Sequence, residues 1–289
     1  MDVGIGLPNA VPGTAGPTLI DWARRAEQAG FSTLGTIGRL VYPSYEELTA
    51  LSAAAAVTER IRLTTGVLLA PLYTNAALLA KQAASLDALS AGRLVLGVGL
   101  GGRDDDFAAS GLSTSGRGRR LDEQLATMKR IWAGEGTAGG PEAIGPPPAR
   151  AGGPELIIGR HGPAAARRAV RFGDGWIMGG GTPQMFAEGA ASVDKAWQEA
   201  GKPGRPRKLS LAYFALGPNA REAADGYLLR YYGFLGDMAR QIAQGAAVGP
   251  DMVRGYISAF EQSGCDELIL DPCSSDPAQV ELLAEAVRG

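Results

Sequence analysis

Histidine is almost absent, since His161 is the only one in 289 residues. A His-rich metal site needs several imidazoles, and a lone one in a glycine turn reads as a cofactor contact or an exposed turn residue rather than as the base of a Ser-His-Asp hydrolase. Cysteine is nearly as scarce. Cys265 and Cys273 are the only two, and a pair eight apart makes neither a metal cage nor a disulfide framework, so both are expected reduced and structural. Neither sign of charge prevails: 28 basic against 30 acidic residues leave a formal −2, without the basic face that nucleic acid requires. Long apolar runs are missing too, and stretches such as "LVLGVGL" fall far short of a membrane span. The opening "MDVGIGLPN" has neither the charged n-region nor the long apolar h-region of a secretory signal. These absences lead to a cytoplasmic protein acting on a small molecule, with no nucleic-acid, membrane or metal partner.

What is present is enough apolar residue, 45%, for a large core. The 42 glycines and 18 prolines are spread between apolar runs as turn punctuation. Short apolar runs alternate with helical patterns. "DVGIGLP", "STLGTIGRL", "RIRLTTGVLLAP" and "RLVLGVGL" read as four strands, each followed by a helix. After the loose "EGTAGGPEAIGPPPARAGG" come "PELIIG", "DGWIMGG", "KLSLAYFAL" and "DELILDP", again with helices between and after. Strands this uniformly apolar belong to a parallel sheet buried on both faces. Eight strand–helix units predict an α/β fold, a (β/α)8 TIM barrel in one domain over residues 1–289, with insertions after strands four and seven. An open doubly wound sheet is the alternative. Trp132, Trp176 and Trp197 fall at apolar positions and are expected in the core. The segment Ala220–Pro250 reads as a lid, an extra helix pair or a dimer contact.

Gly97, Gly99 and Gly102 in "GRLVLGVGLGGRDDD" carry the G-x-G-x-x-G spacing of a dinucleotide fold. The context disagrees. A helix should open on the last glycine, but "RDDDFAASGLSTSGRGRR" intervenes. The acid about 20 residues on should end a second strand, and Asp122 and Glu123 lie in a helix instead. Three acids would also repel the phosphates. A steric account fits better: the glycines admit a flat ligand at a strand end, or they relieve crowding inside the barrel. Both versions stay open.

The blocks "LLAKQAASLDALSAGRLVLGVGLGGRDDDFAASG", "RGRRLDEQLATMKRIW" and "PELIIGRHGPAAARRAVRFGDGWI", in that order, closely resemble the bacterial luciferase-like flavin- and deazaflavin-dependent oxidoreductases. The resemblance covers nearly the whole chain. It implies a luciferase-like TIM barrel, commonly a homodimer, holding FMN or coenzyme F420 at the carboxyl face. It implies a non-prolyl cis peptide at or beside Gly66–Val67, behind the flavin ring. Gly97 and Gly99, with Arg103 beyond them, would lie under that ring. The turn Gly159–Arg160–His161–Gly162 would hold the cofactor phosphate, with Gly179, Gly180 and Gly181 on its other side. The residues argue the phosphate turn independently, because a glycine turn ahead of a helix exposes free N–H groups at a positive helix end. One departure stands out. The family pattern ends its second strand with Asp–Arg or Asp–His, where this chain has Gly38–Arg39, so no catalytic acid or base is assigned.

Substrate is expected against Asn9, Gly38, Arg39, Tyr42, Tyr73 and Asp104, on the loops after the early strands. Tyr45 shares that rim. Asp104, Asp105 and Asp106 read as a solvated run, or as partners of Arg117, Arg119 or Arg120. Hydride transfer with F420 is the leading expectation for function. An FMN-dependent monooxygenase and a non-catalytic flavin-binding barrel are the alternatives. A phosphosugar barrel would want a lysine or carboxylate pair at strand ends, and the five lysines fall elsewhere. Alanine-rich helices over Ala50–Thr58 and Ala76–Leu89 point to a homodimer.

Overall fold

The computed structural model describes residues 1–135 and 142–289, and the loose stretch expected over residues 135–153 falls partly outside them. Strands β1 (Asp2–Gly6), β2 (Thr33–Thr36), β3 (Arg62–Thr65), β4 (Leu94–Val98), β5 (Glu155–Gly159), β6 (Gly175–Met178), β7 (Arg207–Phe214) and β8 (Glu267–Pro272) close into one parallel barrel. The closing pair sets Asp2 beside Glu267 and Ile5 beside Leu270. That pairing excludes the open sheet.

Around the strands run α1 (Gly16–Ala29), α2 (Glu47–Ala55), α3 (Ala76–Leu89), α4 (Asp104–Ala109), α5 (Arg117–Trp132), α6 (Pro163–Phe172), α7 (Pro183–Glu199), α8 (Ala220–Tyr231), α9 (Asp237–Gln244), α10 (Pro250–Gln262) and α11 (Ala278–Arg288). The short α4 is the insertion after β4, and α8 and α9 are the insertion after β7. Side chains set the helix starts. The Glu46 carboxylate accepts from the Leu48 and Thr49 N–H groups at 3.1 and 2.8 Å, so α2 opens later than the apolar pattern alone indicates. Asn75 caps α3 in the same way, accepting from Leu78 N–H at 3.0 Å. Each such cap stabilises by about 1 kcal/mol.

Period-two alternation sorts the strand residues into two cores. Outward side chains meet the helices around Trp22, Leu51, Leu79, Phe186 and Phe260. Inward ones, among them Val95, Ile157, Ile177, Leu209, Leu211 and Ile269, fill the barrel. Trp132, Trp176 and Trp197 are buried as expected. Cys265 and Cys273 are both free and buried, and burial raises both thiols, Cys265 to about 12. The long third strand expected from the sequence stops at Thr65. The Gly66–Val67 peptide that follows is cis, and Leu68 then bridges to Val98.

Candidate active site at the carboxyl end of the barrel

Every strand delivers its last residues to one end of the barrel, where (β/α)8 enzymes build their sites. Val67 stands at the centre of the first group there. A Cβ on Gly99 would lie 2.5 Å from Val67 Cγ2, and one on Gly159 would lie 2.9 Å from Val67 Cγ1. A Cβ on Gly97 would lie 2.0 Å from the Thr65 carbonyl oxygen. Two of the three glycines that imitate a dinucleotide fingerprint, Gly97 and Gly99, thus have an immediate steric cause in Thr65 and Val67, whereas Gly102 has nothing within 4 Å of its Cβ position. Val67 itself keeps an exposed side. The structure brings Gly66, Val67, Gly97, Gly99 and Gly159 together around it.

The second group comprises two neighbouring turns. Arg160 sits after β5 with φ +100°, an uncommon backbone for a residue with a Cβ. The Trp176 indole N–H donates to the Arg160 carbonyl at 2.7 Å and holds it there. Arg160, His161 and Gly162 are exposed ahead of α6. Gly179, Gly180 and Gly181 form the adjoining turn after β6. Nothing lies within 4 Å of a Cβ built on Gly179 or Gly180, so this turn has open space where the β4 glycines have none. Thr182 caps α7, accepting from Met185 N–H at 3.2 Å.

The third group involves the insertion after β7, which folds over the mouth as a cap. Of the readings for Ala220–Pro250, the extra helix pair is present as α8 and α9, with Tyr231 and Phe234 lying against Arg39 and Arg103 at the mouth. Arg39 donates to the Tyr231 carbonyl at 2.8 Å and stacks over Tyr42 and Tyr231 at 4.7 and 5.4 Å. Arg103 grips Asp105 through two hydrogen bonds of 2.7 and 3.1 Å and lies 3.9 Å over the Phe234 ring. That pairing holds Asp105 below the usual carboxylate range. The acidic run therefore pairs with Arg103 and Arg39. The expected partners Arg117, Arg119 and Arg120 lie one element later, on α5. Asp104 is exposed, whereas Asp106 is buried and accepts from Val41 N–H at 2.7 Å. Tyr45 donates to the Thr14 carbonyl at 2.9 Å, and Tyr73 to Glu46 at 2.8 Å. Asn9 is buried and donates to the Ile37 and Tyr45 carbonyls.

Sequence reasoning missed two carboxyls. A Cβ on Gly38 would lie 2.3 Å from the Glu47 carboxyl carbon. The acid absent from the end of β2 is thus replaced in space by one from the start of α2. Glu47 is 7% exposed, and burial, then the charge of Glu46, pushes it up to about 8. Asp271, at the end of β8, is 2% exposed, and burial alone lifts it to about 8. Tyrosines crowd above it: the Tyr213 and Tyr232 hydroxyls share a hydrogen bond of 2.6 Å, and Tyr227 and Tyr231 pack against them. The signal for Asp271 was an acid closing the apolar run "ELILD". Glu47 read as an ordinary charge at a helix start, and only its approach to Gly38 distinguishes it.

Among the described residues, eleven buried side-chain polar atoms lack a hydrogen-bond partner. Seven lie at this end: Asn9 Oδ1, Arg39 Nε, Tyr42 Oη, Glu47 Oε1, Arg103 Nη1, Asp106 Oδ2 and Asp271 Oδ2. Buried polar groups are normally paired, so this concentration marks a place built to meet something else. A family model described as luciferase-like monooxygenase matches residues 1–287. The chain belongs to that family. An uncharacterised Mycobacterium tuberculosis protein is 33% identical over 63% of this chain and 72% of its own length. A 5,10-methylenetetrahydromethanopterin reductase of Methanolobus tindarius is 28% identical over 89% of this chain and 71% of its own length. Among solved structures, the monooxygenase RslO1 of Streptomyces bottropensis superposes with a TM-score of 0.84 at 26% identity, covering 100% of this chain and 99% of its own.

Proposed function

We propose that this luciferase-like oxidoreductase binds coenzyme F420 at the carboxyl end of the barrel and transfers a hydride to or from a small organic substrate. The concentration of unpartnered buried polar atoms at that end is the observation that carries the reading. The residues fit the cofactor class. Arg160 and the uncapped start of α6 offer charge and N–H groups to a phosphate, and the Gly179–Gly181 turn leaves room beside them. Val67 offers an apolar face to a flat ring, with Arg103 at its edge. Reduced F420 supplies a hydride when bound, and reduced FMN the electrons for oxygen activation. The chain's own part is to seat the ring, to exclude water with the Tyr227–Phe234 cap, and to orient substrate among Asn9, Arg39, Tyr42 and Glu47.

A relative named as an F420-dependent glucose-6-phosphate dehydrogenase, from Beutenbergia cavernae, supports the F420 reading; it is 33% identical over 61% of this chain and 59% of its own length. The likeness to the monooxygenase RslO1 favours monooxygenation as the second reading, for which FMN would be the cofactor. Anaerobic fluorescence titrations of the purified chain with F420 and with FMN decide between them. Tight F420 and weak FMN binding support hydride transfer, and the reverse supports a monooxygenase. Affinities weaker than roughly 100 micromolar for both would overturn the cofactor reading. We propose a homodimer as well, on the strength of Leu78 and Leu89, exposed on α3. Light scattering that gives a monomer at micromolar concentration would end that proposal.

A further inference from the structure

Asp271 is the last inward-facing residue of β8, in line with Glu267 and Ile269 and beside Tyr213 in the register. Its carboxyl stands at the mouth, yet it is buried and its Oδ2 has no partner. A Cβ on Gly6 would lie 2.1 Å from Asp271 Oδ1 and 2.9 Å from Asp271 Cα and from Pro272 Cδ, so the glycine at the end of β1 admits both this carboxyl and the backbone that carries it. No other charge contributes to holding the group in its protonated form; burial alone does so. A leucine would fill the same space without the penalty of an unpaired buried acid. Nothing in the packing accounts for its presence, and position at a barrel strand end is where chemistry is placed.

We propose that Asp271 is a substrate-recognising residue whose carboxylic acid O–H donates to a carbonyl oxygen of the substrate, which makes ketones, aldehydes and amides the fitting class. The inference rests on placing the reaction at the carboxyl end of the barrel, as proposed above. A carboxylic acid donates one short, strong hydrogen bond to such an oxygen and offers nothing to a hydrocarbon of the same shape. Tyr213, Tyr227, Tyr231 and Tyr232 surround the site with aromatic faces, which suits an apolar body behind the carbonyl. One of the Tyr213 and Tyr232 hydroxyls donates to the other, and the acid adds an unpartnered group beside them.

The test is carbon-13 magnetic resonance of the chain labelled at its aspartate carboxyls, with the Asp271 signal assigned by its loss in Asp271→Asn. At pH 6 the signal should report a neutral acid. It should move saturably on adding cyclohexanone or N-methylacetamide, and stay still with methylenecyclohexane, which lacks the oxygen. Asp271→Leu should weaken cyclohexanone binding about ten-fold, while Asp271→Asn, which keeps an N–H donor, retains most of it. Gly6→Ala keeps the acid but displaces it, and should lose the response to both carbonyl probes. An ionised signal at pH 6 overturns the proposal. So does indifference to both carbonyl probes, with and without whichever cofactor the chain binds. If neither F420 nor FMN binds while the signal still follows the ketone, the cofactor reading fails and the Asp271 assignment stands. If a cofactor binds and the signal ignores the ketone, the assignment fails alone.

Discussion

Glu267 and Asp271 point to the same side of β8, four residues and about 13 Å apart, and both are buried. At the amino end, Glu267 accepts from Ser32 at 2.5 Å, is bonded by Arg207, and lies 3.5 Å from Arg62. Arg207 turns to Glu155 at 2.8 Å and Arg62 to Asp2 at 2.6 Å, so five charges and a hydroxyl close the barrel floor. At the carboxyl end, Asp271 has no such neighbour, and Glu47 leaves Oε1 equally unmet. One end of the barrel satisfies its buried acids and the other leaves them wanting. The contrast separates stability from function within a single strand, which is the division the (β/α)8 architecture makes between its two faces.

Breaking the floor should have the largest effect. Glu267→Leu strands Arg207 and Arg62 without the charge they share, and removing one partner of a buried ion network costs about 3–5 kcal/mol. Chemical denaturation at pH 7 measures it. A loss below about 1 kcal/mol would mean the floor is no more important than a surface pair, and the comparison would collapse.

The mouth should respond to pH in the opposite sense from most acids. Asp271 and Glu47 are raised to about 8 in the fold, so the native state keeps protons that the unfolded chain has already released. Their contribution to stability is fully present below the unfolded values near 4 and is lost as pH rises through about 8. The groups facing Asp271 are Tyr213, Tyr227, Tyr231, Tyr232 and Cys273, and those facing Glu47 are Glu46, Asp106, Tyr73 and Tyr231. Burial raises the four tyrosines around Asp271 well above their ordinary value, Tyr232 to about 12, and raises Cys273 as well, so none ionises in this window. Each acid lowers stability by up to about 1.4 kcal/mol per pH unit across it, or ~2–3 kcal/mol between pH 5 and 7. Asp271→Asn and Glu47→Gln should each flatten that slope. Melting curves that fall with pH as steeply in both variants as in the unsubstituted chain would show the two acids already ionised.

Much of this architecture is legible from the residues. Strands buried on both faces must be apolar throughout, so β4, β5 and β8 declare themselves, and eight such units with helices between them leave few alternatives to a closed barrel. The cis peptide at Gly66–Val67 follows from resemblance alone. Gly97 and Gly99 show the limit of spacing as a signal. Two glycines one residue apart mean close approach, but whether ligand, backbone or Val67 approaches depends on β3, thirty residues earlier. Glu47 and Asp271 escape for a related reason. A carboxyl at a helix start or a strand end reads as capped or solvated unless its surroundings are known, and burial without a partner is a property of the assembled mouth. The cap is legible only as one of three alternatives for Ala220–Pro250, because helical periodicity over 220–262 says nothing about which face of the barrel those helices cover.

The same distinction between crowded and open glycines gives the smaller effects. Gly97→Ala drives a methyl into the Thr65 carbonyl at 2.0 Å, a backbone atom that cannot swing aside, and overpacking of this kind costs about 1–3 kcal/mol. Gly179→Ala is the opposite case. Nothing lies within 4 Å of the added methyl, and the φ there is not in the left-handed region, so stability should change by less than about 0.5 kcal/mol. If the open turn is the far wall of a phosphate cradle, that methyl should weaken F420 or FMN binding several-fold while the melting temperature holds. The two readouts must part company for the idea to survive. An alanine that leaves both untouched places the cofactor phosphate away from this turn, and Arg160 with the start of α6 would then have to hold it alone.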